Sequence, residues 1–267
     1  MTQLEIANVA LGHLGTVSLV TYDETSPEGL HVRRHWDLVR DALLRQRHWN
    51  FAIQRATLTL NGAVDLTGIA STTGSADITV ADATGLSVGM SILGEFVPRG
   101  AKITAIVSLT VTLDTTASTT DTAQTATAYD APAFEYDFAY DLPDDYLRAL
   151  EWNGREAGTG QSEFDIEGTT LLCDDAETAQ LRYTAKVEDC ALWDSNFIEA
   201  FAMKLAARVA PGITTAQGLG GQLDQRAEAY LAKAFGPDNG ETRPRAIMAH
   251  ETSGWLDARA GLDPRFP

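Results

Sequence analysis

Arg40-Asp41-Ala42-Leu43-Leu44-Arg45-Gln46-Arg47-His48-Trp49-Asn50-Phe51-Ala52-Ile53-Gln54-Arg55-Ala56 changes character half-way along. The first half is a charged amphipathic helix. The second half places two large rings, Trp49 and Phe51, where helical spacing gives way to extended chain. On pattern alone, this is a helix end packed by aromatic side chains. Working backwards, Ser26-Pro27-Glu28 combine an N-cap, a proline at the first helical position and an acidic first turn. The spacing therefore predicts a helix from there to about Arg47, with Leu30, Trp36, Val39, Leu43 and Leu44 as its buried stripe. Trp36, Leu43, Leu44, Trp49 and Phe51 are the expected core-packing residues of this block. An earlier helix is predicted over residues 2–15. Thr2 and Glu5 form a capping-box signature, Leu4, Ala7, Leu11 and Leu14 recur at helical spacing, and Gly15 follows as a stop.

Working forwards, the composition shifts near residue 60. Residues 59–127 hold 16 threonines, one lysine and one arginine, and no helical periodicity. Short β-type runs (Asp77–Val80, Ser91–Leu93, Lys102–Val107, Thr110–Leu113) alternate with glycine or Asp/Ala turns, which predicts a small antiparallel β-domain. After Asp130, Phe134–Tyr136, Phe138–Tyr146 and Leu147–Leu150 read as strand, turn and strand. Phe164–Leu172 reads as a hairpin turning at Gly168, and Gln180–Ala185 as a further strand. A third helix is expected from Asp194 or Ser195, with Phe197, Phe201, Leu205 and Val209 four apart, ending before Pro211-Gly212. A fourth covers about Leu223 to Phe235, with Leu223, Tyr230, Leu231 and Ala234 inward and Gly236-Pro237 closing it. The expected organisation is a discontinuous core over 1–60 and 131–236, an inserted β-domain over 61–130 and a C-terminal arm over 237–267. The expected fold class is α+β: a helical-bundle core with a small antiparallel β region, the inserted β-domain and the extended arm.

Composition excludes several classes. Net charge is −17, so the chain has no overall basic footprint for releasing counterions from nucleic acid. The charge is uneven. Residues 130–200 carry 18 carboxylates against 4 bases, whereas residues 31–55 carry 6 arginines against 2 aspartates. The two cysteines, Cys173 and Cys190, describe neither a disulfide framework nor a zinc site. His31 and His35 share a helix face but have no third ligand nearby in sequence. No metal and no cofactor is expected. Neither a membrane span nor a signal peptide is read from the sequence. The carboxylate pairs Asp144-Asp145 and Asp174-Asp175 would point to opposite faces of a strand unless set in a turn. With no nucleophile elbow, Walker loop or zincin motif present, no enzymatic activity is expected.

The opening block resembles the RD-x-LLR-x-x-x-WNFA-x-x-RA segment of the head-to-tail adaptor family of short-tailed bacteriophages, also called tail tubular protein A. Three further stretches are similar to that family in order. They are Ala7-Asn8-Val9-Ala10-Leu11-Gly12; Tyr140-Asp141-Leu142-Pro143-Asp144-Asp145-Tyr146-Leu147-Arg148; and Tyr183, Val187, Asp189, Trp193, Phe197 and Ala200. The resemblance covers about residues 4–58 and 134–237. Residues 80–104 resemble an accessory β-module found in many phage and surface proteins, a departure from the minimal family pattern.

The resemblance implies a structural virion protein of the tail or neck, made in the host cytoplasm. It would form a homo-oligomeric ring, commonly a dodecamer, that joins the portal protein to the tail nozzle. Such a head-tail connector extends the channel for DNA ejection, lets genomic DNA pass without specific binding, and helps create the docking surface for tail fibres or spikes. In this setting Ile247, Met248, Trp255, Leu256 and Phe266 of the arm are candidate contacts with the portal or a neighbouring subunit. Some of the acidic residues within 130–200 would line the channel, and the basic stretch Arg33–Arg55 would pair with acids between subunits. The rival reading is a tail-associated surface or glycan-binding component acting through the β insertion. Its threonine hydroxyls suit sugar hydroxyls, but Phe96 is its only aromatic residue before Tyr129.

Overall fold

The computed structural model of the chain describes residues 1–157, 164–174, 179–214 and 218–240. Helix α1 (Gln3–Leu14) opens on a complete capping box. The Thr2 side chain accepts from the Glu5 backbone N–H, and the Glu5 carboxylate accepts from that of Thr2; the helix closes on left-handed Gly15. Helix α2 (Pro27–Gln46) is capped by Ser26. Its buried stripe runs through Val32, Trp36, Val39 and Leu43, with Arg40 and Leu44 beside them. Leu30 is not part of it and is 48% exposed. Two residues along a helix turn about 200° around the axis, so burying Val32 sends Leu30 outward.

After α2 the chain passes through extended Arg47 and a single 3-10 turn (Asn50–Ala52) into strand β1 (Ile53–Thr57). The barrel strands follow: β2 (Val64–Ser71), β3 (Asp77–Thr79), β4 (Ser91–Leu93), β5 (Ala101–Val107), β6 (Thr110–Leu113) and β7 (Asp121–Tyr129). They close in the order β2-β3-β6-β5-β4-β7. Next come β8 (Phe138–Asp141), β9 (Tyr146–Trp152), β10 (Arg155–Glu156), β11 (Phe164–Glu167), β12 (Thr170–Cys173) and β13 (Gln180–Ala185). Two open antiparallel sheets result, β1-β13-β9-β10 and β11-β12-β8. Strand β1 pairs with β13 from Ile53 opposite Thr184 to Thr57 opposite Gln180, which joins the two halves of the chain across the barrel. Residues 134–136 form a bend rather than a strand, with Glu135 at φ 75.

Helix α3 (Ser195–Ile213) carries Pro211 inside it instead of ending before it. Helix α4 (Leu219–Gly240) runs through Gly236-Pro237 instead of stopping there. The arm expected to begin at residue 237 therefore starts inside a helix. Residues 241–267, with Ile247, Met248, Trp255, Leu256 and Phe266, lie outside the described residues.

The expected helical-bundle core with a small β region is overturned. Among the described residues the chain forms thirteen strands against four α-helices, including a closed six-stranded antiparallel barrel. The helices enclose only one of three hydrophobic clusters. A second fills the barrel around Ile69, Ile78, Ile92, Phe96, Ile103 and Val111. A third lies between the open sheets around Phe138, Tyr140, Trp152, Leu171 and Leu181. The physical reason is that the strands after residue 130 bury their own aromatic face and so form a core, where the sequence pattern had made them an appendage to the helices.

Candidate functional site

The opening block is placed by an aromatic cluster. Trp49 sits edge-on to Phe197 at 5.1 Å, and Phe51 meets the same ring at 5.1 Å. Trp193 contacts Phe197 at 5.0 Å and Phe201 at 5.1 Å, and Trp36 lies 4.7 Å from Phe201. Both indoles of the outer stretches donate to main-chain carbonyls, Trp49 to Leu43 and Trp193 to Val187. Trp36, Leu43, Leu44 and Trp49 are buried, and Phe51 is half-buried. This cluster binds the N-terminal block to the Val187–Ala200 stretch. Its role is packing: edge-to-face rings fix the angle between α2, β1 and α3, each pair adding about 0.5–1.5 kcal/mol beyond burial.

Among the described residues, the groups considered for chemistry assemble no metal-ligating cluster. Asp144 and Asp145 do sit in a turn, closed by the Tyr146 N–H donating to the Pro143 carbonyl at 2.9 Å. Asp145, however, accepts the Tyr183 hydroxyl at 2.8 Å, and burial together with that bond raises the phenol's pKa. Asp174 accepts from the Asp137 N–H at 2.9 Å; Asp175 lies outside the described residues. Cys173 and Cys190 are buried and form no disulfide. His31 packs so close to Gly212 that a β-carbon there would overlap its ring. Burial, His31, Arg34 and Arg208 all hold the His35 pKa below its ordinary value. Among the described residues no helix is long and apolar enough to cross a membrane.

Surface features are more informative. A groove of about 490 Å³ lies among α2, α3 and α4, lined by Leu38, Val39, Ala42, Leu43 and Gln46 together with His35, Arg208 and the paired Lys204 and Asp224. Part of the basic stretch is used within the chain. Arg33 donates to the Tyr22 and Glu24 carbonyls, and Arg40 bonds Asp37 and Asp41. Arg34 and Arg208 make no ion pair among the described residues. A second groove, of about 860 Å³, lies on the barrel and is walled by threonines with Asp65, Glu95 and Asp121. Its one ring, Phe96, is 1% exposed and belongs to the barrel core. The barrel is clamped to the three-stranded sheet by Arg99. That side chain pairs with Asp137 at 3.1 Å, donates to the Asp174 carbonyl and covers the Phe138 ring at 4.7 Å. Sequence reasoning missed Arg99, although it is the only arginine in residues 59–127.

The chain matches no protein-family model and no curated protein.

Proposed function

We propose that the chain is a ring-forming structural protein of a bacteriophage virion. In this reading it is a head-to-tail adaptor that joins the portal to the tail nozzle and extends the DNA channel. One observation carries it. The stretches that resemble the adaptor family at the N-terminus, in the opening block and over 183–200 are far apart in sequence, yet most of their buried residues pack in one cluster. Leu11, Trp49, Val187, Trp193, Phe197 and Ala200 all belong to it. The remaining stretch, Tyr140 to Arg148, places Tyr140 and Leu142, together with Tyr183, in the neighbouring sheet cluster. The charge pattern fits as well: an acidic wall repels DNA within about one screening length, ~8 Å at physiological salt. No enzymatic step is assigned; of the paired carboxylates, Asp145 accepts the Tyr183 hydroxyl and Asp174 accepts a main-chain N–H.

The glycan-binding alternative has the threonine-walled groove in its favour, but Phe96 is buried beneath that groove and offers no face for a sugar to stack on.

The test is negative-stain microscopy of the chain mixed with the portal ring encoded in the same genome, beside each component alone. The portal is expected to gain one discrete layer. A chain that leaves the portal unchanged but binds fibres or cell-surface glycans would replace this reading with the alternative. Deleting residues 241–267 is expected to impair docking; normal docking of the truncated chain would remove the arm from the portal contact.

A further inference from the structure

Strand β1 is an edge of its sheet, and its outward main-chain groups are used at both ends but not in the middle. Hydrogen-bonded residues alternate along an antiparallel ladder. The Leu58 N–H donates to the Ala179 carbonyl at 2.7 Å, so Gln54 and Ala56 also turn their main-chain groups toward β13. Ile53, Arg55 and Thr57 turn theirs to the open side, as do Thr59 and Asn61 beyond the strand. The Ile53 N–H donates to the Asn50 carbonyl, the Thr59 carbonyl accepts from Asp141, and the Asn61 N–H donates to the carbonyl of Ala139. Between these ends, Arg55 and Thr57 are exposed, and among the described residues no strand lies on their open side.

The side chains at this gap carry unbalanced charge. Arg55 stands directly opposite Arg182, in the non-hydrogen-bonded kind of pair that brings side chains closest. Like charges so placed repel. Both line a cavity of about 390 Å³ with Thr57, Gln180 and Glu151. Glu151 is the only carboxylate lining it among the described residues, and it already accepts from Arg182 Nη1 at 2.6 Å. Among the described residues Arg182 Nε is buried without a hydrogen-bond partner, and Arg55 makes no ion pair. Glu156 of β10 is in register with Glu151, but three strand spacings put β10 about 14 Å from β1, beyond the ~8 Å screening length. Asp65, in the next cavity beside Thr57, accepts the Thr127 hydroxyl at 2.9 Å. The place that favours a further negative group is therefore Arg55.

We infer that β1 receives an extended acidic segment of a partner protein as an added strand, with one carboxylate of that segment on Arg55. Main-chain pairing to Arg55 and Thr57 supplies the attachment, and side chains at alternate positions select the partner. The residue of the added strand facing Arg55 lies on the same side of the sheet, so its carboxylate completes the row and offsets the Arg55–Arg182 repulsion. A nucleic-acid phosphate has no N–H and C=O array to pair with a strand edge, and the chain's net charge of −17 opposes it. The site stands independently of the adaptor reading.

The test uses the full-length chain and a synthetic heptapeptide of alternating threonine and valine with glutamate at its centre. Affinity is read by fluorescence anisotropy, and amide hydrogen exchange by nuclear magnetic resonance. The peptide is expected to bind and to slow exchange at the Arg55 and Thr57 N–H groups more than about tenfold, while Gln54 and Ala56, already paired, change little. A glutamine-centred peptide should bind roughly threefold to fivefold more weakly, as befits an exposed ion pair. Arg55→Glu should make a lysine-centred peptide the tightest; residue 55 is exposed, so the fold tolerates the change. Equal affinity of the glutamate and glutamine peptides, or no protection at Arg55 and Thr57, overturns the proposal. So does a fully N-methylated peptide that binds as well as its parent, because that is anion adsorption alone. Displacement of the peptide by an equal concentration of a thymidine oligonucleotide assigns the arginines to phosphate and overturns it too. Slow exchange at Arg55 and Thr57 before any peptide is added means that the chain itself, or a second copy, fills the edge, which rejects a partner site. The portal takes no part in these measurements, so failure here leaves the adaptor reading to its own test.

Discussion

Arg40 lies on the buried face of α2 with its side chain 3% exposed, yet its partners Asp37 and Glu188 are 72% and 67% exposed and Asp41 is 33% exposed. Removing the arginine therefore leaves no stranded buried charge; the loss is packing of its aliphatic stem and a partly desolvated guanidinium. Arg40→Met is expected to stay within about 1 kcal/mol of wild type, whereas Arg40→Ala, which opens a cavity, should lose about 2 kcal/mol. Urea unfolding midpoints distinguish the two; equal losses would mean that the ion pairs dominate. Trp49 is a larger case. It is buried against Phe51 and Phe197 and its indole N–H reaches the Leu43 carbonyl, so Trp49→Ala should cost about 3–5 kcal/mol by the same measurement. The sequence made Trp49 legible, because a large ring at a helix end has few places to go. It could not reveal Arg40 as buried. A charged residue within an arginine-rich helix looks solvated until Asp37, Asp41 and Glu188 are seen to converge on it. Nor did it separate Arg34 and Arg208, which make no ion pair among the described residues, from Arg33, which is spent on two carbonyls.

At the scale of elements, the packing of α3 on α4 turns on two adjacent glycines. Pro211 has no N–H to offer the Ala207 carbonyl one turn earlier in α3. That carbonyl faces Gly220 of α4, where a β-carbon would stand 2.9 Å from the oxygen; Gly221 has open space. Alanine is ordinarily favoured over glycine in a helix by up to about 1 kcal/mol. Gly221→Ala should therefore stabilise by roughly 0.5–1 kcal/mol. At residue 220 overpacking, about 1–3 kcal/mol, exceeds that gain, so Gly220→Ala should destabilise. Thermal midpoints that move in the same direction would refute this account of the helix contact. The sequence reading ended the third helix before Pro211 and began the fourth at about Leu223, after both glycines, as the average behaviour of these residues dictates. Tertiary contact put Pro211 inside a helix and made Gly220 a close-approach site. The same helix pair carries a pH dependence. Lys204 bonds Asp224 at 2.7 Å and Glu228 at 2.6 Å. Burial pushes the Lys204 pKa down, but these bonds outweigh it and raise it overall; the Lys204 bond holds the Glu228 carboxyl below its ordinary value. A lowered carboxyl contributes stability above its unfolded pKa of 4.5 and loses it as pH falls through the folded value; a raised lysine contributes below 10.5 and loses it as pH rises through its folded value. The tie is thus fully present between those limits. Glu228 is 45% exposed, so its worth is at most about 1 kcal/mol. Glu228→Gln should flatten the acid side of the stability–pH curve, and an unchanged slope below pH 4.5 would show that the tie contributes nothing there.

For the whole molecule, the question is whether the barrel is a guest in the rest of the fold or a part of its core. The sequence signalled β3 to β6 through short alternating runs, and it missed the long strands β2 and β7 that close the barrel. Their patterns are weak for physical reasons. Gly68 sits at φ 63 in β2, the β2–β7 register shifts twice, and β7 is mostly threonine and alanine. Closure comes from pairing these two strands, a long-range property that local alternation does not carry. The barrel's entry and exit meet. The Asp130 N–H donates to the Asn61 carbonyl at 2.9 Å, and the Asn61 N–H donates to that of Ala139 at 2.8 Å. The barrel core is also a separate cluster from the two others. Against this independence stand contacts with the neighbouring sheet: Tyr129 stacked on Phe138 at 5.4 Å, the Arg99 clamp over the same ring, and Leu93 of β4 packed against the sheet cluster. Replacing residues 62–128 by a short Gly/Ser linker keeps Tyr129 and removes Arg99 and Leu93. The cation–ring contact is worth about 0.5–1 kcal/mol, and at about 2–4 °C per kcal/mol the excised chain should melt a few degrees lower with its helical circular dichroism intact. Arg99→Ala in the full chain should reproduce part of that fall. If excision instead abolishes cooperative unfolding while Arg99→Ala melts normally, the barrel is integral to the sheet core, and β2 and β7 hold the fold together from outside it. Should both variants stay folded, portal docking by the excised chain then decides which part assembles. A layer formed without the barrel assigns assembly to the helices and open sheets, where the α2 groove and the β1 edge both lie.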